Sequence, residues 1–250
     1  MEIPYTHLML KIYLMTKGII FIGCSFTYGY GLQYYYQKEL NQPFNSEYKT
    51  WQDDILSPQE QFRESKRFAG LVSSKLDTWC VTREGVSGCD LENIEFLNQA
   101  FGKKLQDAPN FCRWSLNPNE ISDIVIQTSY PIRSSEIYDK GITHEMLNED
   151  IDLENKIIQK ITYLINKEYE KFIEWAESNG INVHFIHITP DYLDSIYIKD
   201  RTIKIDGWYS IDSYMNNTNG RIINDLDIED YHPNLTTHKV IAKEILNKIS

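Results

Sequence analysis

The sequence predicts an α/β fold in which a parallel sheet carries helices on both faces. Short apolar runs that end at glycine or a polar turn alternate with amphipathic helical stretches, and that alternation implies βαβ units. Gly18 to Gly23 (GIIFIG) reads as a fully buried strand, and Trp79 to Thr82 and Asp123 to Thr128 read alike. Asn182 to Thr189 is longer, rich in β-branched residues and closed by Pro190. Between these runs, helices are predicted over Gln59 to Lys75 and over Asp90 to Leu105, where Leu91, Ile94, Leu97 and Phe101 recur at spacings of three and four. The strongest helix signal runs from Ile151 to Asn179. Ile157, Ile161, Leu164, Ile165, Phe172 and Ala176 line one face, and Gly180 supplies the stop. A last helix is expected over Thr237 to Ile249. Gln37 to Ser57 and Ser195 to Asp225 read as insertions or loops.

At 250 residues the chain fits one domain better than two. Residues 1–17 read as an N-terminal extension, with 18–250 as a single domain. The first fifteen residues carry a lysine inside their apolar stretch and no small-residue cleavage site, so they do not read as a signal peptide. No uncharged run approaches the ~20 residues that span a bilayer. The expectation is a cytoplasmic protein with no membrane partner. The formal charge of −11 repels phosphate backbones, which argues against nucleic acid as a partner. The densest basic runs, Arg63 to Arg67 and Lys103-Lys104, read as solvated helix faces. Cys24, Cys80, Cys89 and Cys112 form no C-x-x-C pair, and a chain this long needs no staples, so reduced thiols are expected. His and Cys spacing shows no zinc pattern; neither a metal nor a cofactor is expected.

Four segments carry candidate chemistry, because ligands of such sheets bind beyond the carboxyl ends of the strands. Gly23-Cys24-Ser25-Phe26-Thr27-Tyr28-Gly29-Tyr30-Gly31-Leu32 puts a serine directly after a buried strand, at a helix start whose amides can hold an oxyanion. The plainer reading is a turn or N-cap. Gly85-Val86-Ser87-Gly88 follows the second strand. Asp123 to Glu136 (DIVIQTSYPIRSSE) follows the pattern of a strand and its outgoing loop. Glu229-Asp230-Tyr231-His232-Pro233-Asn234, with His238 four residues on, enters the last helix.

Together these resemble the four blocks of the GDSL-like, or SGNH, serine hydrolases. The first block matches at Gly23, Ser25, Thr27, Gly29, Gly31 and Leu32 and departs at Cys24, where the family has Asp. The resemblance implies a flavodoxin-like three-layer α/β/α sandwich whose central, mostly parallel sheet has about five strands. It implies an esterase with Ser25 as nucleophile, His232 as base, and Asp230 or Glu229 orienting the imidazole. Strict D-x-x-H spacing selects Glu229. Asp230 is preferred here, because a short carboxylate in a turn bonds local backbone and loses less rotamer freedom. The Ser25 and Gly88 amides would hold the oxyanion. The family's third-block Asn is missing, and Gln127, Thr128 or Ser129 could replace it, with Arg133 bringing positive charge to the rim. His238 is a supporting or substrate-side candidate. Tyr28, Tyr30, Tyr34, Tyr35 and Tyr36 offer a stacking surface for a sugar, so the expected partner is a small-molecule or carbohydrate ester. Two other readings stand beside this one: a binding protein on the same fold whose catalysis has decayed, and a flavodoxin-like nucleotide or flavin binder. The second lacks the usual Ser/Thr-rich phosphate loop.

Overall fold

The structure, a computed structural model, describes residues 17–41, 57–84, 90–103, 115–130 and 151–249. Four strands form one parallel sheet: β1 (Gly18–Gly23), β2 (Cys80–Glu84), β3 (Ile121–Thr128) and β4 (Asn182–His187), in the order β2-β1-β3-β4. Every residue of β1 is buried, as its uninterrupted apolar run requires of a strand covered on both faces. The pleat sends alternate side chains to opposite layers. Ile20 and Ile22 join Ile124, Ile126 and Phe185 beneath α5 (Asp90–Ala100) and α6 (Ile151–Ser178). Ile19 and Phe21 join Val125 and Ile186 beneath α4 (Phe68–Leu76) and α10 (Leu235–Ile249). The three-layer architecture follows from this partition. Burial of each such side chain is worth about 1.5–3 kcal/mol, and truncating Phe21 to alanine would cost about 3–5 kcal/mol.

The chain leaves β1 to one side for β2 and then crosses back to β3 on the other side. The carboxyl ends of β1 and β3 therefore bracket a topological switch point, where open α/β sheets form their crevice.

Several expectations are corrected. About five strands were expected; the described residues hold four, and the place beside β4 is taken by a single parallel bridge from Thr202 to Phe185. A turn through Asp206 (φ 50°) and Gly207 (φ 87°) ends that segment before a ladder can form. The helix expected over Gln59 to Lys75 is two helices, α3 (Pro58–Lys66) and α4, broken at Arg67 with extended backbone (φ −67°, ψ 154°). Gly70 permits the tight junction, since a Cβ there would fall 1.9 Å from the Glu64 carbonyl oxygen. The α5 helix stops at Ala100, short of the expected Leu105, because Gly102 takes a left-handed φ of 73°. On α6, Leu164 is exposed, and Tyr169 and Ile173 complete the buried face instead. Residues 195–225, read as loop, contain the short helices α7 (Ile196–Lys199), α8 (Ile211–Thr218) and α9 (Ile222–Leu226). The remaining helices are α1 (Ser25–Tyr28) and α2 (Gln33–Glu39).

The Arg63 to Arg67 stretch is not a solvated face: Arg63 is 1% exposed and Arg67 6%. Arg63 pairs with Glu60 and Glu64, lies 3.6 Å over the Tyr28 ring and donates to the Tyr28 carbonyl. Sequence polarity hid this: the partner carboxylates lie on α3 itself, and the burial arises only when α3 packs against Tyr28 of α1. Among the described residues, no helix is long and apolar enough to cross a membrane.

Candidate active site

The β1 strand ends at Gly23, and Cys24 continues in extended backbone to cap α1, its sulfur accepting the Phe26 N–H at 3.5 Å. Ser25 is thus the first residue of α1 and only partly exposed. Two left-handed glycines, Gly29 and Gly31, then fold the chain back. Gly31 serves a second purpose: a Cβ there would come within 2.8 Å of an Asp230 carboxylate oxygen, so only glycine lets this backbone pass so near. Arg63 clamps the same turn through Tyr28.

The chain before α10 brings the other groups. Asp230 Oδ1 accepts the backbone N–H of His232 at 2.8 Å and lies 2.7 Å from His232 Nδ1. His232 Nε2 lies 2.9 Å from Ser25 Oγ. An ionised carboxylate can only accept, so Nδ1 carries the imidazole proton and Nε2 is left to accept the seryl hydroxyl. Asp230 is 8% exposed, whereas Glu229 points into solvent. The structure therefore puts Asp230, not Glu229, on the imidazole. The ring is held from the sides by Phe26, edge-on at 5.4 Å, and by Tyr30 at 5.0 Å. Its backbone is pinned as well. The His232 carbonyl accepts from the Ile222 N–H at 2.9 Å, and Arg221 donates to the Tyr231 carbonyl at 2.8 Å. Asn234 caps α10 by accepting the Thr237 N–H at 2.9 Å.

The other candidates separate by their contacts. Gln127 lies under the serine turn, accepting from Thr27 Oγ1 at 2.6 Å and donating to Cys24 Sγ at 3.0 Å. Thr128 points to the opposite layer and bonds His187 at 2.8 Å. Both side chains serve structural bonds. Ser129 differs: its hydroxyl is buried and has no hydrogen-bond partner among the described residues. It follows Gln127 by two residues, and Gln127 bonds Cys24 and Thr27 of the serine turn, so β3 delivers Ser129 just beyond the floor of that turn. Gly88 and Arg133 lie outside the described residues. His238 does not join Ser25. It stacks on Phe68, and its Nδ1 accepts the Phe68 N–H at 3.2 Å, which caps α4. The tyrosine surface is smaller than expected. Arg63 covers Tyr28, Tyr34 and Tyr35 are buried, Tyr36 packs on Phe62, and Tyr30 meets His232. Of the cysteines, Cys24 and Cys80 are in no disulfide; Cys89 and Cys112 lie outside the described residues. No group of three or more His, Cys, Asp or Glu among the described residues is placed to hold a metal ion. Sequence reasoning passed over Asp90 and Arg63. An aspartate at a helix start and an arginine three residues after a glutamate both read as ordinary surface pairing.

No family model and no curated protein matches the chain. Among solved structures, a carbohydrate esterase matches at 14% identity and a TM-score of 0.44, covering 93% of this chain and 67% of that one. So loose a superposition carries no argument for the chemistry; the hydrogen bonds around Ser25 do.

The buried histidines make a prediction about acid stability. Burial pushes His187 down to about 3. Burial, then the nearby His232 and Arg67, push His238 down to about 3 as well. In the unfolded chain each gains its proton near pH ~6.5. Between that pH and about 3 the unfolded state binds more protons, so stability is lost as pH falls, on the order of a few kcal/mol per histidine. Burial also acts to raise Asp123, but hydrogen bonds from His184, Ser122 and Asn182 outweigh it and hold its carboxyl below the usual range, which adds to the loss at the acid end. Asp90, pushed by burial up to about 6, works the other way between about pH 4 and 6, as one group against the two histidines. The melting temperature should fall steadily below pH ~6.5, and His238→Gln should flatten that fall. Level melting from neutral to pH ~4 would contradict neutral burial of these rings.

Proposed function

We propose that this chain is a serine hydrolase of the SGNH type that cleaves a carboxylic ester through an acyl-enzyme on Ser25. The observation that carries this reading is the continuous series Ser25 Oγ, His232 Nε2, His232 Nδ1 and Asp230 Oδ1, with gaps of 2.9 and 2.7 Å across the two hydrogen bonds. In the proposed reaction Ser25 Oγ attacks the ester carbonyl while His232 takes its proton, and Asp230 stabilises the imidazolium. The tetrahedral oxyanion is held by the Ser25 N–H at the start of α1, by the Gly88 amide and by the Ser129 hydroxyl. His232 returns the proton to the departing alcohol as the carbonyl–oxygen bond breaks. Water, activated by the same imidazole, then releases the acid and restores Ser25.

Within esters, an acyl group on a carbohydrate is favoured. Partly exposed Tyr30 beside His232 and exposed Tyr231 next to it offer aromatic faces for a sugar ring. A second reading keeps the fold without the turnover: a binding protein, favoured by Cys24 where the family has Asp and by the missing third-block Asn. Stopped-flow hydrolysis of p-nitrophenyl acetate separates the two. The enzyme gives a burst of nitrophenol near one equivalent followed by steady turnover, both lost in His232→Ala. Equal slow rates in wild type and His232→Ala would favour the binding protein.

A further inference from the structure

Among the described residues, the most completely buried carboxylate outside the Ser25 site is Asp90, the first residue of α5, at 2% exposure. It receives three donors from three different elements. Tyr169 of α6 donates to Oδ1 at 2.7 Å. Tyr192, in the turn after β4, donates to Oδ2 at 2.7 Å. The backbone N–H of Ser129, one residue beyond β3, donates to the same oxygen at 3.0 Å. Around this knot the layer is apolar: Ile94, Leu97, Ile126, Phe172 and Phe185. Burial pushes the carboxyl up to about 6, and the three donors keep it from rising further.

Such a group is a poor device for stability alone, because well-packed apolar residues in place of a buried ion are often neutral or better. What an ionised carboxylate with three fixed donors provides is position. The position it fixes is that of Ser129, whose hydroxyl is buried without a partner among the described residues, one residue beyond β3 and two beyond Gln127, which bonds Cys24 and Thr27 of the serine turn. The two phenols close the carboxylate's other directions, so the Ser129 amide meets an acceptor that cannot rotate away.

We propose that Asp90 is a positioning residue, which through the Ser129 amide holds the Ser129 hydroxyl where the oxyanion develops. This rests on Ser25 being the nucleophile. Asp90 touches neither substrate nor imidazole; it acts through Ser129. An asparagine in its place would present an N–H to one of the three donors and loosen the Ser129 turn, whereas the bound ground state would be little affected.

The test is a double-mutant cycle on p-nitrophenyl acetate with Asp90→Asn, Ser129→Ala and the pair, alongside reaction of each with a fluorophosphonate. Ser129→Ala should lower kcat by about a hundredfold and Asp90→Asn by tenfold or more, with KM within about twofold. The pair should be no slower than Ser129→Ala alone, because the second change removes support from a donor already gone. Losses that multiply in the pair, or an Asp90→Asn kcat within twofold of wild type, would overturn the assignment. Should Asp90→Asn fail to fold, Tyr192→Phe keeps the carboxylate and the ring volume while removing one donor. It should lower kcat severalfold at unchanged KM, and loss of neither would overturn the proposal. Wild-type protein whose Ser25 resists the fluorophosphonate would instead overturn the serine reading on which Asp90 depends.

Discussion

Replacing Ser25 by alanine should lower hydrolysis of p-nitrophenyl acetate by roughly four to six orders of magnitude while leaving the melting curve in place. The size follows from the chemistry: without the hydroxyl there is no acyl-enzyme, and only residual stabilisation of the transition state by oxyanion donors remains. The intact fold follows from the contacts. Ser25 is partly exposed, and its carbonyl keeps the Gly29 and Tyr30 N–H bonds that close the turn, each 3.0 Å. A partly exposed hydroxyl whose partner His232 can turn to water contributes within about half a kcal/mol. If activity survived the substitution, the neighbouring Cys24 would be the first alternative to examine. Cys24 is 1% exposed and its sulfur is turned inward to Gln127 and Phe26, which makes it a poor nucleophile.

Asp230→Asn should lower kcat by roughly a thousandfold or more, and Glu229→Gln should leave it within about twofold. The amide can still accept the His232 backbone N–H through its oxygen, so the turn persists. Its nitrogen, however, can donate to the ring and select the tautomer whose Nε2 carries a proton, which cannot accept from Ser25. Nor can it stabilise the imidazolium. Glu229, one residue away, has its side chain in solvent and no bond to the ring. Both variants are to be assayed on the same ester, with folding checked by melting. A large loss in Glu229→Gln alone would mean that the carboxylate at strict family spacing does the orienting in solution. Losses in neither would leave a Ser25–His232 dyad.

The parts of this site that were legible in the sequence share one property: they depend on local chain geometry. A serine just past an uninterrupted apolar strand, and a His-Pro-Asn string just before the last amphipathic helix, mark where a parallel sheet presents its loops. The preference for Asp230 over Glu229 rests on the same kind of local reasoning about a short side chain in a turn; in the structure Asp230 Oδ1 lies 2.7 Å from His232 Nδ1 and Glu229 is exposed. What was hidden depends on partners far away in sequence. The buried Arg63 looks like any surface arginine until α3 packs on α1. Nothing near Asp90 announces that Tyr169 and Tyr192, from helix α6 and from the turn after β4, will enclose it. The distinction among Gln127, Thr128 and Ser129 needed the pleat of β3, since adjacent residues face opposite layers and only contacts show which hydroxyl is left unbonded. The short helices of 195–225 escaped because four- to eight-residue helices carry too few turns to show a period.

The central claim, that Ser25 is a nucleophile activated by His232, is tested most directly by covalent labelling. Wild-type protein is treated with a fluorophosphonate, digested, and the adduct located by mass spectrometry. The expected result is a single adduct on the peptide carrying Ser25, absent in Ser25→Ala and formed far more slowly in His232→Ala. No adduct on wild-type protein, or an adduct elsewhere that Ser25→Ala leaves untouched, would contradict it.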